Sequence, residues 1–362
     1  MIDARVNRLA KLLVRYCRKV KRGQTVLISG AAAAEPLILE LGREVLRAGG
    51  NPMYRMVPDA AAEVFYAEAG EEQLRFMPQS ALVAAREADH LINILAEVNT
   101  QALASADPKK QALSEKARRK MADIMLRKNE WTLTLYPTAA YAQDAGMGLE
   151  EFEAFAYRAM GAESKDPVAA WRKSLDFQKK VLARLRGADQ IRIVAPDTDL
   201  VMSVKGRKFV NSYGSHNMPD GEIFTGPVET SAEGRIRYTY PVCYRGKEVQ
   251  DVRLEFEGGK VVKATAAKNQ SFLLQMIDMD PGARRLGELG IGVNFGIARF
   301  IKNILFDEKI GGSVHLALGR SYEETRGKNK SALHWDMICD LRQGGRLEVD
   351  GKVLQADGKF RL

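Results

Sequence analysis

A chain of 362 residues is too long for one ordinary hydrophobic core, and with 46% apolar and 28% charged residues it is not a disordered protein, so two globular domains are expected. It contains no run of about eighteen apolar residues, which excludes a membrane-spanning helix, and its three cysteines, Cys17, Cys243 and Cys339, form no CxxC pair and point to a reducing compartment rather than a disulfide framework. The formal net charge of +9 raises the question of a nucleic acid or an acidic partner.

Met1 to Val20 scatter Arg and Lys among apolar residues. A signal peptide needs an unbroken apolar block and a small-residue cleavage site, so a cytoplasmic protein is expected. Ile2, Val6, Leu9, Leu13, Tyr16 and Val20 recur at helical spacing and predict an amphipathic first helix. Thr25-Val-Leu-Ile-Ser29 reads as a buried strand closed by Gly30. Pro36 to Ala48 reads as a helix stopped at Gly49-Gly50, and Met53 to Val57 as the next strand. Together they make a βαβ unit with a right-handed crossover. The turn Ser29-Gly-Ala-Ala-Ala-Ala-Glu35 has neither the GxGxxG spacing nor a Gly-Lys-Ser/Thr, so it is read as ordinary α/β architecture and not as a nucleotide site. His90 begins the apolar strand Leu91 to Leu95 and reads as structural. After Pro108 comes a basic helix bearing Lys109, Lys110, Lys116, Arg118, Arg119, Lys120, Arg127 and Lys128. No aromatic residue interleaves these charges, so a solvated helix face is expected there and not a nucleic-acid surface. Trp131 to Tyr136 is the following strand. Strands alternating with helices imply a parallel sheet covered on both faces.

The texture changes near residue 187. Asp166 to Arg186 reads as one long helix. Short strands follow at Ile191 to Ala195, Leu200 to Val204, Arg235 to Tyr240, Val252 to Phe256 and Val261 to Ala264, with a hairpin turn at Gly258-Gly259 and a helix at Ser271 to Asp278. The expected architecture is an N-terminal parallel-sheet α/β domain at residues 1–185, serving as a cavity or dimer scaffold. An α+β catalytic domain with antiparallel strands follows at residues 186–362.

Chemistry concentrates in that second part. Ser331-Ala-Leu-His-Trp-Asp-Met337 puts an imidazole and a carboxylate two positions apart. In a strand His334 and Asp336 share a face, whereas a helix would separate them by about 200°. Such a pair suits a divalent metal or a catalytic role, because burying both groups without a shared purpose is costly. His315, between Val314 and Leu316, reads equally as a ligand or as a hydrogen-bonded core residue. Glu288 lies among Gly287, Gly290 and Gly292, which signal either a close approach of the backbone or flexible packing. Asp220 and Glu222 follow the turn residue Pro219, and taken alone they read as solvated acids of a surface turn. HExxH is absent, and spacing alone does not bring these residues together.

The segments His216-Asn-Met-Pro-Asp-Gly-Glu-Ile-Phe-Thr225, Arg285-Leu-Gly-Glu288, Gly312-Ser-Val-His-Leu-Ala-Leu-Gly319 and Ser331-Ala-Leu-His-Trp-Asp336, in this order, resemble the thermophilic metalloaminopeptidase family, peptidase family M29. The resemblance runs over nearly the whole chain and includes Thr25-Val-Leu-Ile28, Tyr136-Pro-Thr138 and Thr198-Asp-Leu200. It implies that Glu222, Glu288, His315, His334 and Asp336 hold two divalent metal ions per chain, drawn from Zn, Co, Mn or Mg. It further implies that Tyr322 is an active-site residue; apart from the resemblance, Glu288 is expected to relay a proton as well as to ligate, since a carboxylate beside metal-bound water can take that role. The expected activity is release of N-terminal residues from small peptides with free N-termini by a homodimer, with neither nucleic acid nor membrane as a partner. A metal hydrolase of another amide or ester keeps the same ligands and changes the pocket. A non-catalytic nucleic-acid-binding protein would use the Lys109 to Lys128 face, but gives no reason for the five donors.

Overall fold

The computed structural model describes residues 3–128, 130–244 and 246–362. Ile2 of the first helical pattern lies outside the described residues, as do the side chains of Lys120, Arg127 and Lys128 in the basic run. The chain divides into two compact units, Met1–Trp171 with Gly214–Pro219, and Arg172–Tyr213 with Asp220–Leu362. The expected boundary at 185 falls inside the second unit. Val181 and Leu185, near the end of the helix Pro167–Leu185, pack into that unit's core. His216, expected in the second domain, lies in the first unit, with its ring 4.8 Å from that of Trp131.

The first unit carries a five-stranded parallel sheet in the order Asn51–Val57, Thr25–Ala31, His90–Leu95, Trp131–Leu135 and Asn217–Met218. Thr25–Ala31 runs through Gly30 instead of stopping there. The helix Glu35–Arg47 buries Leu37, Ile38, Leu41 and Val45, one stripe at helical spacing. The first helix, Ala4–Leu12, continues as a wider turn over Leu13–Cys17 and ends before Val20. His90 sits 3.1 Å from Glu130 and 3.0 Å from Gln24 through its two ring nitrogens. On the helix Pro108–Lys128, Lys109, Lys116, Arg118 and Arg119 are exposed, while the Lys110 ammonium donates to the Tyr66 carbonyl at 2.9 Å.

The second unit holds, among the described residues, two large antiparallel sheets and the two-stranded pair Val242–Tyr244 with Lys247–Val249. An eight-stranded sheet runs from the edge strand Lys260–Thr265 through Arg253–Glu257, Glu233–Arg237, Thr198–Ser203, Gln190–Ala195, Arg346–Val349 and Lys352–Ala356 to Lys359–Phe360. Gly258 and Gly259 both have positive φ, +55° and +75°, which is what a two-residue hairpin demands. The other sheet has five strands, in the order His334–Asp340, Ser313–Gly319, Leu286–Gly292, Glu222–Thr225 and Val210–Ser212. One of its faces, with Ile223, Leu289, Ile291, Leu316, Trp335 and Met337, joins the unit's hydrophobic core. The residues alternating with these point the other way, and they include Glu222, Glu288, His315, His334 and Asp336.

Candidate metal centre

Directly opposed residues of antiparallel strands project from the same face. In this sheet Glu222 faces Gly292, Gly290 faces His315, Glu288 faces Ala317, Ala317 faces Asp336, and Gly319 faces His334. Five side chains from four strands are thereby set side by side. A bulge between Leu286 and Glu288 makes this possible on the second of these strands. It shifts the register by one residue, so that Leu286 enters the core while Glu288 enters the site. Gly290 makes room for an imidazole, since a Cβ there would lie 2.0 Å from His315 Cε1 and 2.1 Å from its Nε2. The segment expected as a surface turn is instead interior. Asp220 is fully buried and Glu222 is 6% exposed, because the chain leaves the turn directly into a four-residue strand buried throughout.

Both imidazoles are held in the same manner. His315 Nδ1 lies 2.9 Å from the Glu308 carbonyl, and His334 Nδ1 lies 2.8 Å from the Arg320 carbonyl. A carbonyl only accepts, so Nδ1 donates and each Nε2 is aimed among the carboxylates. His315 Nε2 is 3.2 Å from Glu288 Oε1 and 3.5 Å from Glu222 Oε2. His334 Nε2 is 3.6 Å from Glu288 Oε2 and 3.5 Å from Asp336 Oδ2.

The donor set fits divalent cations. The potential ligand atoms of Glu222, Glu288 and His315 lie within 4.8 Å of one another, and so do those of Glu288, His334 and Asp336. Glu288 is common to both groups. Glu222 Oε2, Glu288 Oε2 and Asp336 Oδ1 are buried without any hydrogen-bond partner among the described residues. A buried oxygen left unsatisfied is costly in a native fold, and three of them spread over two groups that share Glu288 call for cations. Imidazole nitrogens beside carboxylate oxygens are donors that more than one divalent cation accepts.

Two further charged residues border the set. Glu308, half-buried, forms a third group with His315 and Asp336 at the same spacing. Lys309 is fully buried and pairs with Glu308. Nothing in Phe306-Asp-Glu-Lys309 marked these as interior; alternating charges normally read as solvent-exposed. Burial pushes the Glu222 carboxyl well above the ordinary range, against the pull of Lys309. Burial also raises Glu308, but Lys309 and then His315 hold it below its ordinary value. Burial raises Asp336 to about 6, opposed by His334. Burial works to lower His315, yet the Glu288 hydrogen bond and the Glu222 charge raise it to about 10. In the metal-free protein this imidazole therefore serves as the counter-cation of the carboxylates.

Tyr322 reaches the same place. Its hydroxyl is 3.5 Å from His334 Nε2, and its ring meets those of His334 and Phe224 edge-on at 5.0 Å and 5.9 Å. The residue is 39% exposed. Burial of the phenol and the charges of Glu288 and Asp336 raise its pKa above the ordinary value, which keeps the hydroxyl protonated and able to donate. All six residues picked from the sequence thus lie on one side of one sheet or at its margin. His90 and His216 belong to the other unit.

Three comparisons bear on this geometry. The family model for the thermophilic metalloproteases, M29, matches residues 2–360. Aminopeptidase 2 of Geobacillus stearothermophilus is 27% identical over 99% of this chain and 95% of its own length. Among solved structures, wild-type AmpT from Thermus thermophilus superposes with a TM-score of 0.85 at 24% identity, covering 99% of each chain. The 2,5-dihydroxypyridine dioxygenase of Pseudomonas putida KT2440 shares the fold at a TM-score of 0.58 and 14% identity, over 98% of this chain and 96% of its own. The fold therefore does not by itself name a reaction.

Proposed function

This chain belongs to the thermophilic metalloprotease (M29) family, and on that premise we propose that it is a metal-dependent aminopeptidase releasing N-terminal residues from small peptides. The observation that carries the reading is two donor groups sharing Glu288, built from two imidazoles and three carboxylates that each bury an oxygen without a hydrogen-bond partner among the described residues. Glu222, Glu288 and His315 would hold one divalent cation, and Glu288, His334 and Asp336 a second. Bound there, the cations supply Lewis acidity for a carbonyl and acidify water.

The chain's own groups do the rest. Glu288 takes the proton of the attacking water and returns it to the leaving amine, a role suited to a buried carboxylate within reach of both. Tyr322 donates a hydrogen bond to the oxyanion of the tetrahedral intermediate. Glu308, kept anionic by Lys309, pairs with the substrate's α-ammonium. That contact would account for a requirement for a free N-terminus. The protein works as a homodimer in the cytoplasm, with the first unit as scaffold.

Hydrolysis of aminoacyl anilides measured beside their N-acetylated counterparts tests the activity. An aminopeptidase cleaves the free-amine series and leaves the acetylated series intact. Equal cleavage of both series would replace this reading with a general amide or ester hydrolase.

A further inference from the structure

We propose that the cleft beside His334 and Asp336 receives the side chain of the substrate's first residue and selects apolar side chains. This rests on the aminopeptidase reading and adds its substrate class. The cleft has a volume of about 190 Å³, and both donors are among its lining residues. A cavity of about 150 Å³ lined by apolar residues accommodates a benzene molecule, so a leucine or phenylalanine side chain fits. Val242, Tyr244, Trp335, Phe300 and Ile304 are among the remaining lining residues. Val242 and Trp335 are buried, while Ile304 is 50% exposed.

Apart from the donors themselves, the charged side chains along this cleft are already engaged, whereas the buried Trp335 indole N–H has no hydrogen-bond partner among the described residues. The Lys302 ammonium is 3.2 Å from Glu248. The Asp307 carboxylate, buried, accepts the Ile301 N–H at 2.8 Å. Neither is left to greet a charged substrate side chain, so what the cleft offers is apolar contact beside a single indole donor.

The outer wall is also firmly set. Phe300 lies flat on Tyr240, with ring centroids 4.7 Å apart and planes 2° from parallel. Asn303 caps the turn that presents Ile304, accepting the Leu305 N–H at 3.1 Å. That turn, Ile304–Asp307, leads directly into Glu308 and Lys309. The wall that reads the side chain and the charges bordering the donors are thus consecutive in the chain. In an exopeptidase the α-amine and the scissile carbonyl must both lie at the donors. The first residue's side chain branches from the carbon between them, so it is the one that must enter a cleft opening beside those donors.

The test uses the full-length, metal-loaded enzyme and two variants, Ile304→Asp and Phe300→Ala. Values of kcat/KM are measured for leucyl- and alanyl-p-nitroanilide and for the dipeptides Leu-Ala and Ala-Leu. Binding of L-leucinol and L-alaninol, which cannot be hydrolysed, is followed by calorimetry. The wild type should favour the leucyl substrates about tenfold or more, the scale of a few buried methylenes. Ile304→Asp should remove most of that preference and weaken leucinol about tenfold, leaving alanyl substrates and alaninol within about twofold. Phe300→Ala should act in the same direction. Parallel losses on both series, unchanged discrimination, or a shift confined to Ala-Leu would overturn the assignment while leaving the aminopeptidase reading intact. A wild type that cleaves none of these substrates would overturn both.

Discussion

Lys309 is the residue whose removal should be felt most outside the donor set. It is fully buried, paired with Glu308, and faces the charges of Glu222 and Asp220, which raise its pKa against the lowering effect of burial. Lys309→Met leaves those carboxylates without their cation. Removing one partner of a buried pair costs about 3–5 kcal/mol, so urea unfolding should register a loss of that order. A loss under about 1 kcal/mol would mean that the carboxylates neutralise by protonation instead. His315 carries a pH prediction. Its pKa is raised from 6.5 to about 10 in the metal-free protein. A raised histidine contributes stability that is complete below pH 6.5 and is lost as pH climbs toward 10. The melting temperature of the stripped protein should fall across that window, and His315→Gln should flatten the fall. Ligation requires the deprotonated ring, so the gain from added metal should grow over the same range. A melting temperature of the stripped protein that rises with pH would refute this assignment of charge. Neither Glu308 nor Lys309 was legible in the sequence, because one-dimensional charge patterns carry no information on which residues a neighbouring strand will cover.

At the scale of elements, the site is the property of one sheet. The alternation in His334-Trp-Asp-Met337 was readable, since a strand with apolar residues on one face must present its acids and imidazole on the other. His315 was ambiguous because Ser313–Gly319 is buried on both faces and shows no alternation. Glu222 was misread as a surface turn. Turn residues at Pro219 and Gly221 announce a bend but do not say that the next four residues are covered. The glycines near Glu288 were half legible. Close approach was one of two readings, and for Gly290 the object approached is the His315 ring. Gly290→Ala should therefore displace that ring, at about 1–3 kcal/mol of overpacking. Metal affinity should drop about tenfold or more, read by competition with a chromogenic chelator. Unchanged affinity would show that His315 is not a ligand.

For the whole molecule, the order of fold types was legible: helices alternating with strands first, short alternating strands after. The dividing line was not. The apolar stripe of Pro167–Leu185 says that the helix packs, without saying on which unit. The return of Asn217–Met218 to the parallel sheet is a long-range pairing that no local pattern marks. The proposed homodimer predicts a light-scattering mass of twice the chain's 40.2 kDa, and a mass of one chain at working concentrations would remove it. The account as a whole stands on five side chains sharing paired cations. The direct test strips the enzyme with chelator, counts bound metal by mass spectrometry, and follows peptide cleavage as Co²⁺, Zn²⁺, Mn²⁺ or Mg²⁺ is returned. Cleavage should vanish with the last bound ion and recover in step with two equivalents per chain, and Glu288→Gln should neither bind the pair nor recover. Undiminished cleavage by the metal-free protein would contradict the account.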